Sequence, residues 1–121
     1  MQRRNTGMLG EKYARDFLKK KGYKVIETNY RCGRGEIDIV ARQKDSLVFV
    51  EVRTKISLEF GTPEESINRA KQNRMRATAL HYLQDHTKLP ELWRIDVVAI
   101  ELNEKGKPSR IEIIENAVGD S

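Results

Sequence analysis

The chain has 121 residues, 38% hydrophobic and 34% charged, with a formal net charge of +5 and an isoelectric point of about 9.4. That length and balance predict one folded domain over residues 1–121 and exclude a disordered chain, while the absence of an apolar run near ~20 residues excludes a membrane-spanning helix. A single cysteine, Cys32, excludes an internal disulfide and a thiolate-rich zinc site.

Only His81 and His86 accompany that cysteine, so any metal should be a hard, oxygen-ligated ion such as Mg²⁺. The basic start, Met1-Gln2-Arg3-Arg4-Asn5, runs into an amphipathic helix rather than a signal-peptide core, which predicts a cytoplasmic protein. The surplus of positive charge is compatible with a polyanionic partner without being diagnostic of one.

Residues from about Thr6 to Lys21 read as a helix. Leu9, Tyr13, Ala14, Phe17 and Leu18 recur at helical spacing, three lysines close the last turn, and Gly22 caps it. Glu11 sits at the edge of the apolar stripe, where it either lies over a sheet or points to water; periodicity alone sends it to water. Tyr23 to Tyr30 is a first strand. In the turn Arg31-Cys32-Gly33-Arg34-Gly35, two glycines are free to take positive φ. Those glycines either let a phosphate approach between Arg31 and Arg34 or simply turn the chain.

Two strands follow, Gly35–Ala41 and Leu47–Arg53, separated by the polar cluster Arg42–Ser46. A two-residue loop at Lys44-Asp45 sets Gln43 opposite Ser46. Ile37, Ile39 and Ala41 then share one apolar face with Val52, Val50 and Val48, and a slip by one residue would mix acids into that face. The same register puts Asp38 across from Glu51 on the other face. Like charges so placed repel, by roughly 3 kcal/mol at ~5 Å with an effective dielectric of about 20. Either that face is solvated, or a cation, a shared proton or a metal ion compensates.

After Lys55, residues 56–61 form a loop with apolar content. Thr62-Pro63-Glu64-Glu65 has the pattern of a capping box and predicts a helix to about Gln84, with a break near Asn68. Met75, Ala79, Tyr82 and Leu83 are its core stripe. Lys71 lies on one flank, either turned inward or snorkelling over the rim, and Arg69 and Arg76 lie on the other. Trp93–Ile100 is apolar enough for a central strand, interrupted by Asp96 as a partner for Arg94. Arg110–Glu115 is a last, half-exposed strand. His81 and His86 have no usable partner spacing and read as surface residues. The order α-β-β-β-α-β-β predicts an α/β fold: a mixed sheet of about five strands flanked by helices, with a right-handed crossover through the second helix.

Phosphodiester hydrolysis needs an activated water and stabilisation of the charge that builds on phosphorus. A divalent ion held by two or three carboxylates supplies both, and a nearby cation supports the transition state. Asp38, Glu51 and Arg53 place two ligands and a cation on one sheet face. Glu11 could add a third carboxylate and Lys71 a second cation.

That ordered set resembles the PD-(D/E)XK nuclease superfamily, in particular its Holliday-junction-resolvase-like branch and, more closely, the YraN-like family of small bacterial proteins. The resemblance runs through Gly10-Glu11, Gly22-Tyr23, Asn29-Tyr30-Arg31, Gly35-Glu36-Ile37-Asp38, Val48–Arg53, Lys71 and Arg94–Val98, nearly the whole chain. It implies a restriction-endonuclease-like fold, with Glu11, Asp38 and Glu51 as ligands of Mg²⁺ or Mn²⁺ and position 53 as the catalytic cation. Two positions depart from the pattern: Ile37 replaces the proline, and Arg53 replaces the usual lysine. Arginine binds phosphate but cannot act as a general base, which leaves Lys55 and Lys71 as the available amines.

The expected function is therefore a metal-dependent endonuclease acting on DNA, with branched or damaged DNA as the candidate substrate. Arg31, Arg34, Lys55 and Arg74 are its candidate nucleic-acid contacts. A binding module that keeps the fold with little catalysis is the alternative, and a protein-interaction domain the third reading. Resolvase-like relatives imply a homodimer, although no apolar patch in the sequence can be assigned to its interface.

Overall fold

A computed structural model describes residues 3–56 and 61–119. The elements are α1 (Arg3–Lys20), β1 (Lys24–Cys32), β2 (Gly35–Gln43), β3 (Ser46–Lys55), a single 3-10 turn (Glu64–Ser66), α2 (Arg69–Asp85), β4 (Leu92–Leu102) and β5 (Pro108–Ile114). The strands form one sheet in sequence order, β1 to β5, in which only β3 and β4 run parallel. This is the expected α-β-β-β-α-β-β order and a mixed five-stranded sheet, consistent with a restriction-endonuclease-like fold. No helix among the described residues is long and apolar enough to cross a membrane.

The first helix ends as its sequence demands. Gly22 takes φ +92, which frees its N–H to donate to Lys19 O at 3.1 Å, while Tyr23 N–H donates to Leu18 O at 2.9 Å. This is the Schellman arrangement, and Leu18 and Tyr23 join the same core cluster.

Each face of the sheet carries a helix. Ala14 and Leu18 of α1 bury against Ile39, Ala41, Val48, Val50, Val98 and Ile100. Met75, Ala79 and Tyr82 of α2 bury against Val40, Leu47, Phe49, Ile95 and Val97. The central strands β3 and β4 are therefore apolar on both sides, and each large side chain buried there contributes roughly 1.5–3 kcal/mol.

The hairpin register is the one the hydrophobic pattern selects: Gln43 pairs with Ser46, Ala41 with Val48 and Ile39 with Val50. Lys44 takes φ +54 in the two-residue turn. Three expectations need correction. Ile37 leaves the face of Ile39 and packs in the α2-side cluster, opposite Tyr30 of β1. Asn29 just before it has φ +55, and this breaks the alternation of β1. Strand β1 continues to Cys32, so the turn shrinks to Gly33-Arg34, and positive φ falls on Gly35 (φ +151) and not on Gly33.

The third correction concerns the histidines, which are half-buried rather than surface residues. The His86 ring stacks on Tyr82 at 3.7 Å, and His81 Nδ1 lies 2.7 Å from the Tyr30 hydroxyl. Residues 57–60 of the apolar loop lie outside the described residues.

Candidate active site

The antiparallel ladder between β2 and β3 runs from Gln43–Ser46 to Ile39–Val50, and the next residues outward are Asp38 and Glu51. At that point a side chain takes over as acceptor, and Val52 N–H donates to Asp38 Oδ2 at 2.8 Å. Asp38 has its pKa pushed up to about 7, first by burial, then by the charge of Glu51, with Glu11 and Glu36 adding to it and the Val52 hydrogen bond opposing. Glu51 is 6% exposed. Burial raises its pKa as well, against the pull of Lys71 and Arg53. Glu51 is buried beneath α2 and Asp38 is half-buried, so the freely solvated alternative does not hold.

Lys71 reaches Glu51 because the helix is broken where it is. Thr62 Oγ1 accepts from Glu65 N–H at 3.3 Å and donates to Glu65 Oε1 at 2.9 Å, but this pairing caps only the 3-10 turn. Ile67 is extended, and Asn68 starts α2 afresh, its Oδ1 accepting from Lys71 N–H at 2.9 Å. Lys71 then stands in the first turn of α2 with Nζ 3.3 Å from Glu51 Oε1. It is turned inward, not snorkelling. Arg53 Nε lies 3.7 Å from the same oxygen and has no hydrogen-bond partner. Asn68 is a positioning residue that the sequence reading passed over, although an asparagine three residues before the lysine is an ordinary N-cap signal.

Glu11 comes from α1, on the other face of the sheet. It is near enough to raise the pKa of Asp38 because it approaches where the β2–β3 ladder has ended. Its Oε1 is buried without a hydrogen-bond partner, and Arg15, one turn on in α1, lies 3.9 Å from it. The expectation that Glu11 points to water is thus corrected. Among the described residues no group of three or more His, Cys, Asp and Glu side chains stands close enough together to hold a metal ion. The donors nevertheless suit a hard divalent ion. They are all carboxylates, burial raises the pKa of Asp38 and Glu51, and Glu11 presents a buried oxygen without a hydrogen bond.

The candidate nucleic-acid contacts fall into two places. Gly35 packs so tightly on α2 that a Cβ there would lie 2.8 Å from Thr78 Oγ1 and 4.0 Å from Arg74 O. The missing side chain is filled by Thr78, not left open to a phosphate. This docking sets the hairpin bearing Arg31 and Arg34 beside the exposed Arg74 turn, with Arg31 3.5 Å from Glu36. Lys55 is elsewhere, at the end of β3, where Nζ donates to Gly61 O at 3.5 Å.

Asp96 is fully buried on the α1 side and accepts from Arg94 Nε through both oxygens at 3.0 and 3.1 Å, and from Asn116 N–H at 2.9 Å. The Arg94 guanidinium also donates to the Tyr23 hydroxyl at 2.9 Å and to Gln43 Oε1 at 2.6 Å. This network is complete in itself and stands apart from the acidic pair.

Known proteins are similar to this chain in sequence along nearly its whole length. A relative from Moorella thermoacetica, a UPF0102 protein, is 44% identical over 117 residues, covering 97% of this chain and 98% of its own length. A UPF0102 protein from Caldicellulosiruptor saccharolyticus is 40% identical over 117 residues, with 97% and 99% covered, and one from Dehalococcoides mccartyi is 43% identical over 118 residues, with 98% and 96% covered. The family described as uncharacterised protein family UPF0102 matches residues 10–100, from the glycine before Glu11 to Ile100 in β4, and the chain belongs to this YraN-like family.

Proposed function

We propose that the protein is a metal-dependent endonuclease that hydrolyses DNA phosphodiester bonds in the cytoplasm, with Glu11, Asp38 and Glu51 holding Mg²⁺ or Mn²⁺. The observation that carries this reading is a pair of neighbouring carboxylates, half-buried Asp38 and buried Glu51, with a third whose buried oxygen has no hydrogen bond. For folding alone that arrangement is unfavourable, because burial and mutual repulsion both oppose ionisation. The balance inverts for carboxylates that share a divalent cation.

When bound, the ion would activate a water and polarise the phosphoryl oxygens. The chain's own residues supply the rest. Lys71 holds Glu51 in place and opposes its protonation. Arg53 has a buried Nε without a hydrogen-bond partner, and a guanidinium suits a phosphate oxygen rather than proton abstraction. Arg31, Arg34 and Arg74 bind backbone phosphates next to the site, and Lys55 flanks it at the end of β3.

Incubation with Mg²⁺ or Mn²⁺ and a panel of duplex, flap and four-way junction DNAs tests the reading. Cleavage is expected for the wild type and not for Asp38→Asn or Glu51→Gln. Cleavage that survives both substitutions belongs to a contaminant.

A second reading, a nucleic-acid-binding module with little catalysis, is favoured by one observation: both cations at the site, Lys71 and Arg53, are already paired with Glu51. Arg53→Lys separates the two. Metal-dependent cleavage gained only in that variant supports the binding module, and comparable cleavage by the wild type removes it.

A further inference from the structure

We propose that Gly10 is a positioning residue for the metal site: the close approach it allows between α1 and Thr54 of β3 is what delivers Glu11 to Asp38 and Glu51. The inference rests on the metal-binding reading above. A Cβ on Gly10 would lie 1.9 Å from Thr54 Oγ1, 2.9 Å from its Cβ and 3.1 Å from its Cγ2. Contacts below 3 Å to a side-chain root do not occur between real atoms, and threonine is β-branched and stiff about χ1, so it cannot swing clear. Any residue other than glycine must therefore push α1 off the strand.

The consequence is local because of what comes next in each segment. Glu11 follows Gly10 directly, and Arg53 precedes Thr54. The contact thus pins the one helix that brings an acid from the opposite face to the strand that carries Glu51 and Arg53. Glu11 Oε1 is buried without a hydrogen bond, and its ion pair with Arg15 at 3.9 Å lies within the same helix, so among the described residues no side chain outside α1 anchors this carboxylate. Backbone packing sets it. By contrast, a Cβ on Gly7, one helical turn earlier, would meet nothing within 4 Å, so the requirement for glycine is confined to the turn that bears the acid.

Supports of this kind typically change metal affinity by 10–100-fold when lost. The test measures Mn²⁺ affinity by titration calorimetry on the full chain, with folding at 20 °C checked by circular dichroism. The set is wild type, Glu11→Gln, Gly10→Ala, Thr54→Gly, and the size swap Gly10→Ala/Thr54→Gly, which restores the space from the other side. Gly10→Ala is expected to weaken Mn²⁺ binding at least about tenfold, as Glu11→Gln does, with Thr54→Gly and the swap both within about threefold of wild type.

If Gly10→Ala does not fold, the swap decides: wild-type-like Mn²⁺ affinity supports the proposal. A folded Gly10→Ala that binds Mn²⁺ like wild type overturns it, as does a swap that stays weak or stays unfolded. Loss in Glu11→Gln without loss in Gly10→Ala overturns this inference alone, whereas a wild type that binds no Mn²⁺ overturns the metal reading itself.

Discussion

Lys71 and Glu51 form a salt bridge of 3.3 Å inside the structure, one at the first turn of α2 and the other on the central strand β3, with only 7% of the glutamate side chain exposed. A bridge this buried says little about net stability while both partners are present, because desolvation offsets attraction. Removing one partner is different.

Lys71→Met should leave Glu51 with Arg53 alone, at 3.7 Å and without a hydrogen bond from Nε. A loss of about 2 kcal/mol in unfolding free energy is expected at pH 8, shrinking as pH falls and Glu51 takes up a proton. Adding Glu51→Gln to the same chain should recover most of it. Urea unfolding of the single and double variants measures this, and equal losses in both would mean that the bridge was not the cause.

The protonation of Asp38 gives a pH signature. Its folded pKa of about 7 stands above the ordinary carboxylate value near 3.8, so between those values the folded chain binds the extra proton and the unfolded chain does not. Stability without metal should therefore be fully present below pH ~4 for this group and fall as pH rises through 7. Asp38→Asn should flatten that slope and raise the melting temperature of the metal-free protein at pH 8, by an amount on the order of 1–2 kcal/mol in stability. Thermal melts across pH 5–8 test it. An unchanged slope in the variant would place the titration elsewhere. Mn²⁺ affinity of the wild type should rise with pH over the same window, because binding must displace that proton.

The hairpin bearing Arg31 and Arg34 depends on Gly35, which combines φ +151 with a contact on Thr78 that excludes a Cβ. Gly35→Ala should cost about 2 kcal/mol and lower DNA affinity by undocking that hairpin from the Arg74 turn. Arg34→Ala and Arg74→Ala should leave stability within about 0.5 kcal/mol, and each should reduce the slope of log affinity against log salt by about one. Fluorescence anisotropy at several salt concentrations reads both. Lys55→Ala, on β3 and outside this hairpin, serves as the comparison.

Asp96 should behave as structure rather than chemistry. Asp96→Ala leaves Arg94 Nε and Asn116 N–H without their acceptor, and a loss of about 3–5 kcal/mol is expected. Mn²⁺ affinity of the folded fraction should stay within a few-fold of wild type. A selective collapse of metal binding with intact stability would assign Asp96 to the site instead.

Much of this was legible residue by residue. Period-2 alternation forced the β2–β3 register, since only one parity keeps Ile39, Ala41, Val48 and Val50 on one face, and that parity alone put Asp38 and Glu51 together. The same local logic found the Gly22 cap, the apolar β4 and the pairing of Arg94 with Asp96. These are short-range patterns, fixed by side-chain direction along one or two neighbouring strands or a single helix turn.

Tertiary structure decided the rest. Periodicity sent Glu11 to water, but α1 packs on the opposite face with Gly10 against Thr54 and carries the acid to the open end of a ladder. Lys71 could have snorkelled; the Asn68 cap and the cover of α2 turned it onto Glu51. Gly35 looked open to a phosphate, and Thr78 from a helix 43 residues on fills the space. By itself the sequence determined the acidic pair Asp38 and Glu51, because their spacing is set within one hairpin. Whether that pair meets a third carboxylate and two cations depends on how the helices on both faces dock, and no periodicity in one segment records the distance of closest approach between two.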